Sequence, residues 1–349
     1  MVWGMKTGGV ETMLVNIINE QVKTEKVRLF IINDFIDEFL VEKISPKCQI
    51  HRLNRKPNSK NPFKILKLNF WIWRYRPDII HVHSYRVSKL IICKWNIVRT
   101  IHGMNNISEE YPRMKALYSI SNVVQDFTKQ QGFQSTVIMN GIKISEMKLR
   151  SSRRYPTDLF EIVQVSRLYI KDKGQDILLK ALGKLAEKGI RNFRMHFIGA
   201  GPSEGMLGQL AKDEGIADQV VFEGLKSQEF VYHHLCDYDL FVQPSRCEGF
   251  GLTVAEAMAA KLPVLVSNID GPMEVIGYGK YGMSFKSEDV DDLAQKLNTI
   301  LQGGYDYSMI EKAYQHVCEE FDVAKTANYY LEEYRKVVNY EESVNSWCV

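Results

Sequence analysis

Two carboxylates stand in one glycine-containing stretch that follows an apolar run of the sequence. Glu248 and Glu256 are eight positions apart in Ser245–Ala260, SRCEGFGLTVAEAMAA, and the preceding Leu240–Gln243 has the pattern of a buried strand. We predict that a helix begins at about Leu252, which leaves Glu248 in a loop and Glu256 on the helix. Each can then accept hydrogen bonds from a different part of one ligand, such as sugar and ribose hydroxyls. The alternative is an exposed loop glutamate and an ordinary helix glutamate.

The loop and the start of this helix also offer a site for phosphate. Backbone N–H groups at a helix start, together with the positive end of the helix dipole, favour an anion. A second phosphate-binding signal is Val165–Gly174, VSRLYIKDKG, in which Arg167 follows a strand and Lys173 precedes a helix. A guanidinium binds a diphosphate as a fork and an ammonium binds it as a point charge. The alternative is a pair of ordinary surface cations.

A third, weaker signal is the glycine pair Gly8-Gly9, which opens a predicted helix at Val10–Asn19. Glycines between a strand and a helix permit close approach of a ligand to the backbone. Only Met1–Gly4 precede the pair, whereas a parallel βα unit needs a strand of about five residues. We therefore expect either a short strand at this sheet position or a sequence that begins late.

The elements around these motifs indicate an α/β protein. Apolar runs alternate with amphipathic stretches, which is typical of parallel sheets covered by helices, and 349 residues favour two domains. We predict domains at 1–150 and 151–325, with a linker at Ser151–Asp158, and a C-terminal helix in 326–349 that packs back on the first domain. Strands are predicted at Arg28–Ile32, Ile50–Leu53, Asp78–His83, Arg99–His102, Tyr118–Ser121, Val137–Met139, Glu161–Val165, Arg194–Ile198, Val220–Phe222, Leu240–Gln243 and Pro263–Ser267.

The net charge of +3 is unevenly distributed along the chain. Residues 1–150 carry 24 Lys and Arg against 12 Asp and Glu, and Lys43–Pro77 holds ten basic residues and no acidic one. Aromatic residues occur at positions 70–75 of this segment. Basic residues and interfacial aromatics together favour an anionic membrane surface for 43–76, and the alternative is a solvated basic face. No helix-turn-helix, zinc or stacking motif accompanies the charge, so nucleic acid is not expected.

Other chemistries have weaker signals. Asp237-Tyr238-Asp239 has a D-x-D form but precedes a buried strand, and the adjacent His233-His234 point apart on a helix. His81 and His83 share a strand face but have no third metal ligand. Gly199-Ala200-Gly201 departs from the dinucleotide fingerprint at Glu204. We therefore expect no metal and no nicotinamide cofactor. Without a signal peptide, a long apolar run or paired cysteines, a cytoplasmic location is expected, peripheral at the membrane.

The chain resembles glycosyltransferase family 4, the large retaining GT-B group. Glu248 and Glu256 reproduce the family's E-x7-E motif, and Arg167 and Lys173 match its basic pair. GGVE at Gly8–Glu11 matches the glycine loop of the family's N-terminal domain. His102 in RTIHG falls where the family places its active-site histidine, and Met139–Ile142 matches the usual end of that domain.

The resemblance implies a GT-B fold, with two Rossmann-like doubly wound domains facing a cleft, and a division of labour among residues. Arg167 and Lys173 neutralise the leaving diphosphate without a metal. Glu248 binds the donor sugar, Glu256 the ribose, and His102 the sugar near the reacting carbon. The remaining donor-binding positions lie near the sugar and its phosphates: Gly8, Gly9, Phe250, Gly251 and Leu252.

From the resemblance we expect a retaining hexosyltransferase of surface polysaccharide or glycolipid synthesis that needs no cofactor. Its donor is a UDP- or GDP-sugar, and its acceptor is a saccharide or a lipid-linked molecule. Three alternatives remain: a catalytically impaired, membrane-associated relative, a sugar-nucleotide epimerase or phosphorylase on the same fold, and a nicotinamide-dependent oxidoreductase, which the departure from the dinucleotide fingerprint disfavours. The sequence thus predicts a fold and a donor-binding constellation, with the acceptor left as a class.

Overall fold

The computed structural model describes residues 1–6, 8–59, 61–92, 94–104, 113–150 and 159–346. The chain divides into two compact units. Unit 1 contains Met1–Ile142 together with Asp322–Val349, and unit 2 contains Lys143–Phe321. The predicted linker, Ser151–Asp158, lies outside the described residues.

Unit 1 is built from parallel strands with helices between them. Its helices are α1 (Gly9–Gln21), α2 (Glu38–Glu42), α3 (Pro62–Tyr75), α4 (Tyr85–Ser88) and α5 (Asn122–Gln130), and its strands are β1 (Arg28–Asn33), β2 (Gln49–Arg55), β3 (Ile80–Val82), β4 (Ile97–Ile101), β5 (Ala116–Ser119) and β6 (Thr136–Val137). β1 pairs with β2, and β3 to β6 pair in sequence order. Ser121 caps α5, because its hydroxyl accepts from the Val124 amide.

The N-terminal segment of unit 1 takes the place of a strand although it is short. Val2 and Met5 form isolated parallel bridges to β1 and to the residues just after it. The Val2 amide nitrogen lies 3.0 Å from the Phe30 carbonyl oxygen. On its other side, the Met1 amine donates to the His81 carbonyl at 2.6 Å, and the His83 amide donates to Met1 at 3.2 Å. The segment therefore links β1 to β3 through backbone hydrogen bonds.

The last helix of the chain, α14 (Val323–Ser346), belongs to unit 1 and packs against α1. Its Tyr330 is buried, and the Tyr330 and Thr100 hydroxyls are 2.9 Å apart. The Thr326 hydroxyl donates to the Met139 carbonyl. A β-carbon on Gly141 would lie 2.5 Å from the Val323 Cα atom. The glycine thus permits the close approach of α14 to the end of the first half of the chain.

Unit 2 is a doubly wound parallel sheet. Its strands are β7 (Phe160–Val165), β8 (Phe193–Ile198), β9 (Val220–Gly224), β10 (Leu240–Gln243), β11 (Val264–Ser267) and β12 (Met283–Phe285). Its helices are α6 (Ile170–Lys173), α7 (Gln175–Glu187), α8 (Glu204–Asp213), α9 (Gln228–His234), α10 (Leu252–Ala259), α11 (Asp270–Val275), α12 (Val290–Leu301) and α13 (Ser308–Glu320). The strand order is β12-β11-β10-β7-β8-β9, so the winding reverses between β10 and β7.

Each strand predicted from the sequence overlaps an observed one, but six elements were not expected: α3, α4, α6, α11, α13 and β12. β12 has only three residues, and two of them are half-buried, so its apolar pattern is short. α3 has buried positions such as Leu68 and Ile72 together with exposed aromatic ones. Its apolar residues therefore do not follow the single-sided pattern that identifies an ordinary surface helix.

We predict that the buried ion pair between Arg150 and Asp239 stabilises unit 2. The two side chains are 10% and 5% exposed, with nitrogen and oxygen 2.6 Å apart, and the other Asp239 oxygen accepts from the Glu161 amide. Arg150→Ala would leave a buried carboxylate without its cation, which should lower the free energy of unfolding by about 3 kcal/mol. Urea unfolding measures this change.

Lys148→Ala is the matched control, because Lys148 stands two positions earlier and pairs with Asp237 at the surface at 3.8 Å. Exposed ion pairs contribute at most about 1 kcal/mol. Equal losses from the two substitutions would contradict a structural role for the Arg150 pair.

Candidate active site

Two loops meet at the point where the sheet of unit 2 reverses its winding. One follows β7 and contains Arg167, and the other follows β10 and contains Glu248. Such a reversal opens a crevice at the carboxyl ends of the strands, because the helices that follow lie on opposite faces of the sheet. The topology therefore brings together the two stretches in which the sequence showed phosphate- and sugar-binding patterns.

A glycine allows the two loops to touch. Gly174 has φ +63° between α6 and α7, and a β-carbon there would lie 1.9 Å from the Pro244 carbonyl oxygen. The Asp172 carbonyl accepts from the backbone amides of Arg246 and Cys247 at 2.8 and 3.3 Å. Only glycine fits this position. The contact fixes the position of Lys173 relative to the loop that follows β10.

Lys173 and Glu248, predicted from separate motifs, form an ion pair. The same Glu248 oxygen accepts from the Gln243 amide nitrogen at 3.0 Å and the Ser245 hydroxyl at 3.4 Å. The Gln243 oxygen in turn accepts from the Thr253 hydroxyl at 2.9 Å. Both charged side chains are largely buried, at 17% and 19% exposed. This network holds the carboxylate in one orientation at the start of α10.

Arg246 holds the loop that follows β10 in place through its side-chain hydrogen bonds. Its guanidinium binds both Asp176 oxygens, at 2.7 and 3.0 Å, and also contacts Glu288 and the Ile170 carbonyl. These hydrogen bonds, the Asp176 pair first, raise the pKa of Arg246 above its ordinary value. The residue is a structural clamp, because its donors are already used by these acceptors. The sequence did not identify Arg246 or Gln243 as site residues. The only local signal was for Gln243, the polar residue that ends the apolar strand LFVQ.

Phe250 and Gly251 contribute backbone rather than side chains to the surface of the loop. The Phe250 ring is buried and packs edge to face on Phe321, with ring centroids 5.1 Å apart. Gly251 has φ +113° and caps α10 without a side chain. A β-carbon on Gly271 would lie 2.5 Å from the Glu248 carbonyl oxygen, so Gly271 supports this loop from behind. The first N–H groups of α10 have no intrahelical partner and are available to an anion.

Glu256 lies one helical turn into α10, as predicted, and is 8% exposed. Burial raises the pKa of this carboxyl to about 8, opposed in part by a hydrogen bond with Gln228. The group is therefore largely protonated at neutral pH and can both donate and accept hydrogen bonds. A neutral carboxyl of this kind suits uncharged hydroxyl partners.

Arg167 is exposed in the loop after β7. Its carbonyl accepts from the buried Gln175 side chain at 2.8 Å, which fixes the backbone beneath the guanidinium. Within the described part of the chain, the guanidinium makes no ion pair. It differs in this from Lys173, whose charge is balanced by Glu248.

In unit 1, the glycine pair opens α1 as predicted. Gly8 is the N-cap, with extended backbone, and Gly9 is the first helical residue. The Gly8 carbonyl accepts from the Thr12 amide at 2.9 Å, which is the first intrahelical bond. Gly8 has no side chain that could cap the helix, and the first N–H groups of an α-helix have no intrahelical partner.

His102 follows β4 and contacts a second histidine. Its Nε2 atom is 3.0 Å from Nδ1 of His83, and its Nδ1 atom is buried without a partner among the described residues. Burial, and then the charge of Arg99, lower the pKa of His102 to about 4. Burial likewise lowers the pKa of His83. Both rings are neutral at physiological pH, so one must donate and the other must accept.

The motifs with weaker signals have structural roles. Asp239 of the D-x-D sequence is held by Arg150, whereas Asp237 contacts His234 at 2.8 Å. A β-carbon on Gly199 would lie 2.0 Å from the Ser166 carbonyl, which identifies a tight strand-to-helix turn. Across residues 1–346, excluding the gaps given above, no three His, Cys, Asp or Glu side chains are arranged to hold a metal ion.

Two family models together match most of the chain. The model described as Glycosyltransferase Family 4 matches residues 7–146, and the one described as Glycosyl transferases group 1 matches residues 146–316. The solved structure of HepE from Anabaena in complex with UDP and glucose is similar in fold, with a TM-score of 0.81 and 19% identity, covering 95% of this chain and 98% of that one.

Curated relatives agree with these matches. The uncharacterized glycosyltransferase MJ1607 of Methanocaldococcus jannaschii is 30% identical over 73% of this chain and 69% of its own length. The GDP-mannose-dependent alpha-(1-6)-phosphatidylinositol monomannoside mannosyltransferase of Mycolicibacterium smegmatis is 32% identical over 40% of this chain and 38% of its own length. The chain spans less than half the length of several curated relatives, this mannosyltransferase included.

We predict that Glu256 makes the stability of the protein depend on pH. Its pKa is about 8 when folded, against an ordinary value of 4.5. Between these values the folded state binds more protons than the unfolded state, so the free energy of unfolding falls as pH rises from about 4.5 to about 8. The free energy of unfolding of the Glu256→Gln variant should fall less steeply over this range. Urea unfolding at pH 5, 6, 7 and 8 measures both slopes.

Glu204→Gln is the control for this comparison, because Glu204 is exposed in the first turn of α8. Its free energy of unfolding should change with pH as steeply as that of the wild type. A Glu256→Gln variant whose slope equals that of the wild type would show that Glu256 is ionised in the folded protein.

Proposed function

Because the chain belongs to glycosyltransferase family 4, we propose that it transfers a hexose-type sugar from a nucleoside-diphosphate sugar. The acceptor is a saccharide or a lipid-linked molecule of surface polysaccharide or glycolipid synthesis. The observation that carries this proposal is the meeting of Lys173 and Glu248 at the sheet reversal of unit 2. In the proposal, the cation binds phosphate and the neighbouring carboxylate binds sugar hydroxyls.

The diphosphate would bind between Arg167, Lys173 and the start of α10. Arg167 has no ion-pair partner among the described residues, and Lys173 has only Glu248, so both are available to an incoming anion. Bidentate guanidinium binding and the outward N–H groups of the helix supply directed donors. This donor set stabilises charge on the departing diphosphate, the task that a divalent metal performs in other transferases.

The sugar nucleotide's hydroxyls would be bound by the two glutamates. Glu248 is held by Gln243, Ser245 and Lys173 and would accept hydrogen bonds from the donor sugar. Glu256, kept neutral by burial, would bind the ribose. Backbone groups of Phe250, Gly251 and Leu252 would line the sugar and phosphates, because the Phe250 side chain is turned into the core.

Retention of configuration is part of the proposal. The anomeric carbon loses its bond to the diphosphate oxygen, and the acceptor oxygen bonds to the same face of the sugar. The acceptor proton passes to the departing diphosphate, so no protein nucleophile is needed. In unit 1, His102 would contact the donor sugar, and Gly8 and Gly9 would approach its phosphates.

The acceptor would be reached at a membrane through α3. Phe63, Leu66, Phe70 and Trp73 are 54% to 74% exposed and fall at helical positions i, i+3, i+7 and i+10. This spacing forms an apolar stripe, and the basic segment 43–76 supplies cations around it. Within the described residues, no helix combines the length and apolar character needed to cross a bilayer.

We predict that nucleoside diphosphates stabilise the protein through Arg167 and Lys173. A ligand at 100 times its Kd adds about 2.7 kcal/mol to the free energy of unfolding. UDP, GDP, ADP and their sugar conjugates are tested by thermal shift in EDTA. One nucleotide should raise the Tm of the wild type, and Arg167→Ala and Lys173→Ala should each remove most of that increase.

Lys171→Ala is the matched control, because Lys171 is an exposed lysine on the same short helix, α6. It should retain the Tm increase. If a nucleotide raised the Tm only in the presence of Mg²⁺, this result would contradict the metal-independent proposal. If no nucleotide binds a folded wild type, the impaired relative becomes the better assignment, and production of free sugar phosphate without acceptor would favour a phosphorylase.

We predict that α3 binds anionic vesicles through its exposed stripe. Phe70→Ser and Trp73→Ser each remove an aromatic side chain that is more than half exposed. Since these residues would sit among lipid headgroups, each change should weaken binding to phosphatidylglycerol vesicles about tenfold. Vesicle co-sedimentation at low and high salt measures the loss.

Met206→Ser is the control for this experiment, because Met206 is 67% exposed on α8 of unit 2 and lies outside the basic segment. It should bind as the wild type does. Equal binding to neutral and anionic vesicles would contradict the electrostatic part of the proposal, and equal binding of all variants would exclude the stripe.

A further inference from the structure

His83 has no part in the proposed reaction, yet it contacts a residue that does. Its Nδ1 atom lies 3.0 Å from Nε2 of His102. His83 directly follows β3 and His102 directly follows β4, and these are neighbouring parallel strands. The carboxyl ends of parallel strands lie at the same edge of a sheet. The pairing of the two strands therefore brings the two rings together, with their centroids 5.3 Å apart.

The His83 ring also packs against His81, a side chain that is itself fixed. The two residues share one face of the strand, and their ring centroids are 4.2 Å apart. His81 uses both of its ring nitrogens: Nδ1 is 2.5 Å from the Tyr334 hydroxyl and Nε2 is 2.8 Å from the Thr100 hydroxyl. The His83 ring thus rests on a side chain that is bonded to both α14 and β4.

One proton is shared between the two histidines of this contact. Burial lowers the pKa of His83 and of His102, so both rings are neutral at physiological pH. A neutral imidazole has one N–H group and one bare nitrogen. If the proton between the rings belongs to His102, then Nδ1 of His102 is a bare acceptor. If it belongs to His83, then Nδ1 of His102 carries a proton and is a donor.

The surroundings of His102 favour the first arrangement. Its Nδ1 atom is buried and has no hydrogen-bond partner among the described residues. Buried backbone N–H groups are almost never left without an acceptor, whereas buried carbonyl acceptors are left unpaired somewhat more often. By the same reasoning, the unpartnered Nδ1 atom is the bare nitrogen of the ring. The proton of His102 is then on Nε2, which faces His83.

We propose that His83 is a positioning residue for His102. Through its Nδ1 atom it accepts the Nε2–H of His102, and it thereby keeps Nδ1 of His102 as an acceptor for a sugar hydroxyl. This inference rests on the proposed function, in which His102 contacts the donor sugar. A fixed acceptor requires a hydroxyl that donates, so the pair discriminates against sugars that lack this hydroxyl. His83 acts through His102 and not on the sugar itself.

The tautomer is measured in the unliganded protein by NMR of histidine labelled at its ring nitrogens, because bare and protonated ring nitrogens have different chemical shifts. The signals of His102 are those that disappear in His102→Asn. They should show a bare Nδ1 and a protonated Nε2. In His83→Phe, which keeps a ring but removes the acceptor, both nitrogens should move toward averaged shifts. A protonated Nδ1 in the wild type would overturn the proposal.

His83→Asn is the conservative variant, because its carboxamide oxygen can accept the same hydrogen bond. It should keep the tautomer that His102 has in the wild type. Tyr118→Phe is the control, because it removes a buried hydroxyl of the next strand, β5, that has no partner among the described residues. It should leave the His102 shifts unchanged. Equal changes in His83→Phe and Tyr118→Phe would mean a general disturbance of the sheet and would contradict the positioning role.

The effect on the sugar is measured by calorimetric titration with UDP and UDP-glucose, and with GDP and GDP-mannose. For the pair that binds, His83→Phe should weaken binding of the sugar conjugate about tenfold, because the acceptor for its hydroxyl is no longer fixed. Binding of the free diphosphate should not change, and His83→Asn should retain most of the affinity for the conjugate. Equal weakening of the conjugate and the free diphosphate would identify a merely structural role and would overturn the proposal.

The two measurements separate this inference from the proposed function. If neither pair binds the folded wild type, the proposed function fails and the sugar contact of His102 fails with it, whereas the NMR shifts still decide the tautomer. If a sugar conjugate binds the wild type and His83→Phe equally tightly, the proposed function stands and the positioning role of His83 is wrong.

Discussion

The reversal of sheet winding between β7 and β10 is the constraint on which the rest of unit 2 depends. Strands on the two sides of this point send their following helices to opposite faces, so the loops at their ends diverge and leave a crevice. Gly174 brings the loops into contact at its base, where a β-carbon would overlap the Pro244 carbonyl. The Lys173–Glu248 pair can form because that contact sets the spacing between loops that are far apart in sequence.

The same constraint explains why so much of this site consists of backbone. Gly174, Gly199 and Gly271 each place a neighbouring carbonyl within 2.5 Å of where a β-carbon would be. The Phe250 side chain packs in the core, so that only its peptide groups remain for the crevice. A surface made of N–H groups at a helix start recognises phosphate by geometry, whatever base or sugar is attached to it. In the proposed site, specificity for the sugar would therefore come from the few directed side chains.

The sequence predicted the parts of this arrangement that local pattern encodes. The apolar patterns located β7 and β10, and the positions of the following loops located Arg167 and Glu248. What the sequence could not show were partners distant along the chain, such as the Arg246–Asp176 pair, because nothing near Arg246 indicates which carboxylate it meets. In unit 1, the short N-terminal segment looked insufficient as a strand. It pairs on both sides because β1 and β3 already hold the required spacing.

Some of the candidate site residues are charged and others are neutral, and this combination suits the proposed ligand. The diphosphate carries charge, and the groups assigned to it, Arg167 and Lys173, are cations near the surface of unit 2. The sugar and ribose are uncharged, and Glu256 is kept neutral by burial, as is His102 in unit 1. A neutral carboxyl or imidazole can donate as well as accept, which an ionised carboxylate cannot. Burial thus gives each of these two ionisable side chains the hydrogen-bonding character of a hydroxyl, whereas the groups proposed for the phosphates are the exposed Arg167 and the largely buried Lys173.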